Sequence, residues 1–182
     1  LKAGGPDTLS VSSPAKRLEF KNVLAGEVWL CSGQSNMEFK LGWTDTAKDD
    51  VAKANRPNIR LFNLKEYWRT DNVQWSQSAC DSLNNLIYFR PAKWEACAPE
   101  SAAAFSAVAY YFGKELQDSL KVPVGLICNA VGGSPIEAWI PRPALEYEFP
   151  AILRDWTKND FIQEWVRGRG AHHVSLSKDT LP

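Results

Sequence analysis

The chain predicts an α/β fold with a parallel sheet and helices on its faces, and three segments carry that prediction. Residues 58–64, NIRLFNL, alternate apolar and polar side chains of β-favouring type, the period of a half-buried strand. Residues 101–120 repeat Phe105, Val108, Phe112, Leu116 and Leu120 at three- or four-residue steps, one apolar stripe on a helix. Residues 124–128, VGLIC, form an unbroken apolar run, the pattern of a central strand covered on both faces. Strand, helix and strand in that order make a right-handed βαβ unit.

The remaining elements follow in chain order. Residues 8–11 and 17–20 read as two short strands broken by Ser12-Ser-Pro14. Val28-Trp29-Leu30-Cys31 is a strand-like apolar run that ends abruptly in Ser-Gly-Gln. Residues 45–54, polar with scattered alanines, fit an exposed helix. Residues 65–100 carry turn formers and little periodicity, which predicts a long surface excursion. Ser101 is placed to cap the long helix, and Pro123 follows its end. Pro141, Pro143 and Pro150 are expected to block regular structure, after which residues 151–166 return to a helical pattern through Ile152, Trp156, Phe161 and Trp165. The stretch from Gly168 to Val174 reads as loop, and no internal repeat is visible.

Composition narrows the function. With 182 residues the chain is long enough for a domain with a substantial core. Its 21 basic and 21 acidic residues cancel, which argues against the basic stripe of a nucleic-acid binder and against a polybasic membrane contact. No apolar run approaches the ~20 residues of a membrane span. The chain opens at Leu1 without a basic n-region or apolar h-region, so no targeting segment is read in it, although a cleaved one is compatible with this start. Four cysteines at 31, 80, 97 and 128 lack metal-ligand spacing, so no metal site is expected. Cys31 and Cys128 lie in strand-like runs and are expected to be buried free thiols. Cys80 and Cys97 flank a loop-like stretch and either stay free or bridge in an oxidising compartment. The eight tryptophans suit core packing or a sugar-stacking surface.

Two blocks carry chemistry. In GEVWLCSGQSNMEFKL, residues 26–41, a serine, Ser35, is delivered just past a strand end, where a hydroxyl can meet a ligand. In Asn129-Ala-Val-Gly-Gly-Ser-Pro-Ile-Glu-Ala-Trp139, two adjacent glycines follow a strand directly. Such a pair lets the backbone approach a ligand and turn its N–H groups inward, as acyl transfer requires for its tetrahedral oxyanion.

Both blocks resemble those of the sialate O-acetylesterases, a branch of the SGNH hydrolases. The resemblance implies a flavodoxin-like three-layer α/β fold, present here as its N-terminal part. Residues 1–25, with Gly4-Gly-Pro6, look like the end of a β-rich domain, and residues 26–182 like the N-terminal part of the hydrolase domain. It implies Ser35 as nucleophile, with the N–H groups of Ser35 and Gly133 as the oxyanion hole and Gly132 as the near alternative. Gln34, Asn36 and Gly132 are candidates for substrate contact, although Gln34 and Asn36 fit loop-fixing hydrogen bonds better. Glu137 is expected to be structural and Trp139 to pack. The implied substrate is an acetylated sugar, O-acetyl sialic acid foremost and acetylated xylan as an alternative, with no metal or organic cofactor. It also implies export in bacteria, periplasmic or secreted, or a lysosomal location in an animal.

The resemblance leaves the general base unfilled. A serine hydroxyl needs a base within hydrogen-bond reach, and that base needs an orienting group. The family takes both from an Asp-x-x-His motif, and no aspartate in this chain has a histidine three residues later. The family's Gln-Gly-Glu-Ser-Asn type run is also absent. The two histidines, His172 and His173, sit in a loop-like stretch that suits solvent exposure. The missing partners are expected from a C-terminal segment outside this chain. Two rival readings are a non-catalytic carbohydrate-binding module built on the tryptophans and a phosphate-binding α/β domain using Gly132 and Gly133. The second lacks both common glycine-rich phosphate motifs.

Overall fold

A computed structural model describes residues 2–67, 78, 81–82, 85 and 87–152. Residues Gly4–Ser12 (β1) and Arg17–Ala25 (β2) pair antiparallel as a separate two-stranded sheet. The turn between them is closed by the Ser13 N–H donating to the Lys16 carbonyl at 2.8 Å. Both strands run beyond the predicted 8–11 and 17–20, because backbone pairing extends past the residues with strong β preference.

The main sheet is built from Glu27–Gly33 (β3), Arg56–Asn63 (β4), Trp94–Cys97 (β5) and Val124–Ala130 (β6), in the order β3-β6-β4-β5. β6 is parallel to both of its neighbours, so its apolar sequence matches a strand flanked on each side, with Val124 and Leu126 almost completely buried. β5 pairs antiparallel with β4, which makes the sheet mixed. This four-residue strand lies inside the stretch expected to be a surface excursion; Trp-Glu-Ala-Cys is too short to show a period.

The described helices are Ser35–Glu38 (α1), Ala47–Ala52 (α2), Pro99–Ala103 (α3), Ala107–Leu120 (α4) and Arg142–Glu148 (α5). The helix predicted over 101–120 is therefore two helices. Ser106, not Ser101, caps the long one, its Oγ accepting the Ala109 N–H at 3.2 Å. Ser101 instead lies within α3, where its Oγ accepts the Ala98 N–H at 3.0 Å and donates to the Ala96 carbonyl at 2.8 Å.

The predicted apolar stripe of α4 also faces differently. Val108, Phe112 and Leu120 are exposed, whereas Ala107, Ala109, Tyr110 and Gly113 are buried. Small residues let the helix axis approach the sheet: a Cβ added at Gly113 would lie 2.5 Å from Leu126 Cδ1. Phe112 packs edge-on against Trp29 of β3, ring centroids 5.1 Å apart. Ile59, Leu61, Phe105, Tyr110, Val124 and Leu126 are the large side chains of the core, joined by Leu41 from a 3-10 turn at Leu41–Trp43.

The chain divides into two compact units, residues 1–134 and 135–182. The second is described to residue 152 and holds a 3-10 turn, Ile136–Trp139, followed by α5. Regular structure thus occurs where the prolines were expected to block it. Pro141 is the N-cap of α5 and Pro143 lies in its first turn, where a missing N–H breaks no helical bond. The helical pattern predicted over 151–166 lies, from residue 153 onward, outside the described residues.

Candidate active site

The site is assembled by two parallel strands of matched register. Cys31, Ser32 and Gly33 of β3 stand beside Cys128, Asn129 and Ala130 of β6. The Val131 N–H donates to the Gly33 carbonyl at 3.0 Å, carrying the pairing one residue past both strands. Both loops therefore leave the sheet at its carboxyl edge side by side, the place where open α/β sheets bind ligands. A Cβ added at Gly132 would lie 3.7 Å from Ser35 Cα, so the two sequence blocks meet in space.

Ser35 is exposed at the first position of α1. Its Oγ donates to Gln34 Oε1 at 3.1 Å, and its N–H approaches the same oxygen at 3.4 Å. Gln34 thus holds the serine through its side-chain oxygen. An amide oxygen accepts a hydrogen bond but is no base at neutral pH, so this contact leaves the hydroxyl unactivated. Asn36 is exposed next to it.

The two glycines have different reasons for being glycine. Gly133 adopts φ +80°, and the Ser134 N–H donates to the Val131 carbonyl at 3.2 Å across the turn. A positive φ at the third residue marks a type II turn, which selects glycine there for conformation. Ser134 Oγ also donates to the Val131 carbonyl, at 2.7 Å. Gly132 has no positive φ; an added Cβ would lie 2.5 Å from Glu38 Oε2, so it would displace the end of that side chain. Its N–H donates to that same oxygen at 2.8 Å. Gly132 is thereby spent as a donor, while the Gly133 N–H makes no hydrogen bond among the described residues.

Glu38 was not singled out from the sequence. Its spacing from Ser35, one helical turn, was the available signal, because residues three apart share a helix face. Asn129 was missed as well; its Oδ1 is buried with no hydrogen-bond partner among the described residues. Beside Glu38 a cleft of about 340 Å³ opens at the carboxyl ends of β4 and β6, lined by Asn63, Lys65, Arg90, Ser106 and Cys128 among others.

The thiols near the strand ends are buried. Cys31 and Cys128 are buried free thiols, as expected. Burial pushes the Cys128 thiol up to about 12, with the neighbouring Cys31 and the negative charge of Glu38 adding to the effect. Burial raises Cys31 too. Cys97 is a third buried free thiol, donating to the Ala54 carbonyl at 3.2 Å and raised to about 11 by burial. Cys80, His172 and His173 lie outside the described residues. No group of three or more His, Cys, Asp or Glu capable of holding a metal occurs among the described residues.

Comparison with known proteins identifies the family. The sequence profile of the family described as carbohydrate esterase, sialic acid-specific acetylesterase, matches residues 25–160. The sialate O-acetylesterase of Pongo abelii is 31% identical over 152 residues, covering 76% of this chain and 26% of its own. That of Rattus norvegicus is 32% identical over 163 residues, covering 80% of this chain and 27% of its own. The chain thus spans about a quarter of the length of these curated relatives. The crystal structure of a carbohydrate acetylesterase from Xanthomonas citri superimposes with a TM-score of 0.65 at 36% identity, covering 80% of this chain and 31% of that one.

Proposed function

Because the chain belongs to the sialic acid-specific acetylesterase family of carbohydrate esterases, we propose that it is the nucleophile-bearing part of a serine esterase that removes O-acetyl groups from a sugar. The observation that carries this is the meeting of the two blocks, with Gly132 packed against Ser35 at the end of paired parallel strands. In the proposed reaction Ser35 Oγ attacks the acetyl carbonyl carbon. The carbonyl π electrons move to oxygen, and the resulting oxyanion is stabilised by the Gly133 N–H and by that of Ser35 as it exchanges its long bond to Gln34 Oε1 for the oxyanion. The serine proton passes to a histidine outside the residues described here, then to the departing sugar hydroxyl as the tetrahedral species collapses to the acetyl-enzyme. Water, deprotonated by the same base, releases acetate and restores Ser35.

The substrate we favour is O-acetylated sialic acid, supported by the names of the curated relatives. The Xanthomonas citri neighbour, a carbohydrate acetylesterase by its title, supports the broader class of acetylated sugars, acetylated xylan included. The hairpin β1–β2 is read as the closing edge of a preceding β-rich domain, and the base as a contribution of the C-terminal half of the longer protein. Export or a lysosomal location goes with the same reading and rests on the family resemblance alone.

The test is acetate release from O-acetylated sialic acid and from acetylated xylan by the protein at its natural length, beside its Ser35→Ala variant. We expect the variant to lose activity by roughly 10³-fold or more. Equal activity without Ser35 would remove the serine mechanism, and equally poor rates on both substrates would remove the sugar assignment.

A further inference from the structure

We infer that Glu38 is a positioning residue for the oxyanion turn, acting through Gly132. Three observations converge on it. The carboxylate accepts the Gly132 N–H at 2.8 Å, a side-chain tie between the serine-bearing helix and the glycine turn. The same oxygen lies 2.5 Å from where a Cβ at Gly132 would stand, so a side chain there and the tie to Glu38 would compete for one place. Finally, α1 is a single turn of four residues, too short to hold its own geometry without outside contacts.

The consequence is a division of labour between adjacent donors. Two successive N–H groups of a glycine turn can both serve an oxyanion, and the bond to Glu38 commits the first of them elsewhere. By occupying the Gly132 N–H, Glu38 leaves the Gly133 N–H as the unbonded donor of that turn. A hydrogen bond to a carboxylate is roughly twice as strong as a neutral one, so the tie is a firm one for a short helix to rely on. Glu38 touches no reacting atom in this account, and its effect reaches the substrate through the turn.

The inference rests on the esterase reading for its kinetic arm alone. The experiment compares Glu38→Ala, Glu38→Gln and Glu38→Asp in the protein at its natural length. Hydrogen exchange at the Gly132 amide is read for each, together with kcat and KM on an acetyl ester and the melting temperature. Gln keeps an acceptor oxygen at the same reach; Asp keeps the charge but is one methylene shorter. We expect exchange at Gly132 to accelerate by about tenfold or more in the Ala and Asp variants and by a smaller factor in the Gln variant, whose neutral oxygen is the weaker acceptor. We expect kcat to fall by about 10–100-fold in Ala and Asp with KM nearly unchanged, and Gln to recover most of it.

Unchanged kcat in Glu38→Ala, or a Gln variant as slow as Ala, overturns the positioning role. Unchanged Gly132 exchange in Glu38→Ala overturns the tie itself. If Ala alone fails to fold, the contrast between Gln and Asp decides the matter. A wild-type protein without esterase activity would sink the esterase reading and the kinetic half of this inference, leaving amide exchange to judge the tie.

Discussion

The Ser106 hydroxyl donates to Met37 Sδ at 3.5 Å, joining the cap of the longest helix to the helix that bears Ser35. Around this contact the backbones interlock, the Leu41 N–H donating to the Phe105 carbonyl at 2.9 Å and the Ala107 N–H to that of Phe39 at 2.8 Å. The segment after Ser35 is therefore pinned to α4 on one side, as Glu38 pins it to the glycine turn on the other.

Replacing Ser106 with alanine is expected to cost about 1 kcal/mol, because one cap bond to the Ala109 N–H is lost from a buried site. Thermal unfolding should show a fall of about 2–4 °C for a chain of this size. An unchanged melting temperature would show that Ala109 finds another acceptor.

Much of the fold was legible before any coordinates. The strand at 58–64, the apolar run 124–128 and the serine-bearing strand each appear within two or three residues of the expected bounds. The first two bury strand faces, so their period or apolarity records their position, whereas β3 leaves Val28, Trp29 and Leu30 exposed and was legible from its apolar run alone. The core face of α4 was misread because it is made of Ala107, Ala109, Tyr110 and Gly113, residues that carry little hydrophobic signal but permit close approach to Leu126. At the site, Ser35 and the glycine pair were visible because they sit at strand ends in recognisable blocks. Glu38 was not, since its role depends on a partner 94 residues away in sequence.

Gly132→Ala and Gly133→Ala should both impair the site, for separable reasons. At Gly133 the left-handed φ of +80° charges alanine about 1–2 kcal/mol. At Gly132 the new methyl collides with Glu38 Oε2. The pair Glu38→Ala and Gly132→Ala should therefore be non-additive, with the double variant no worse than Glu38→Ala alone, whereas Glu38→Ala and Gly133→Ala should compound. A double-mutant cycle on melting temperature and kcat checks this; additivity at Gly132 would contradict the steric account.

The buried thiols set an alkaline limit on stability. Cys97 and Cys128 are raised from an ordinary 9.0 to about 11 and about 12 by burial. The unfolded chain releases these protons first, so their contribution is fully present below pH 9 and is lost as pH rises towards 11–12. Denaturant midpoints measured from pH 8 to 11 should fall across that window. Cys97→Ala should flatten part of the fall, and an unaltered slope would assign it to other groups.

Gly26 holds the joint between the hairpin and the main sheet. An added Cβ would lie 2.0 Å from the Pro123 carbonyl oxygen, the same oxygen that accepts the Glu27 N–H at 3.0 Å. Because the obstacle is backbone, Gly26→Ala should destabilise by about 1–3 kcal/mol, read as a lower denaturant midpoint. A midpoint equal to wild type would show that the start of β3 can shift freely.

Cys31 and Cys128 stand on one rung of the sheet; Ser35 lies four residues beyond the first and Gly132 four beyond the second. The spacing of Ser35 and Gly132 is thus counted in residues from a shared origin, not measured along the chain that joins them. Insertions or deletions between β4 and α3 leave that count untouched, provided β6 still returns to its rung. One residue gained or lost within 32–34 or 129–131 would shift one group past the other. Length variation among natural relatives should accordingly be common in the first region and rare in the second.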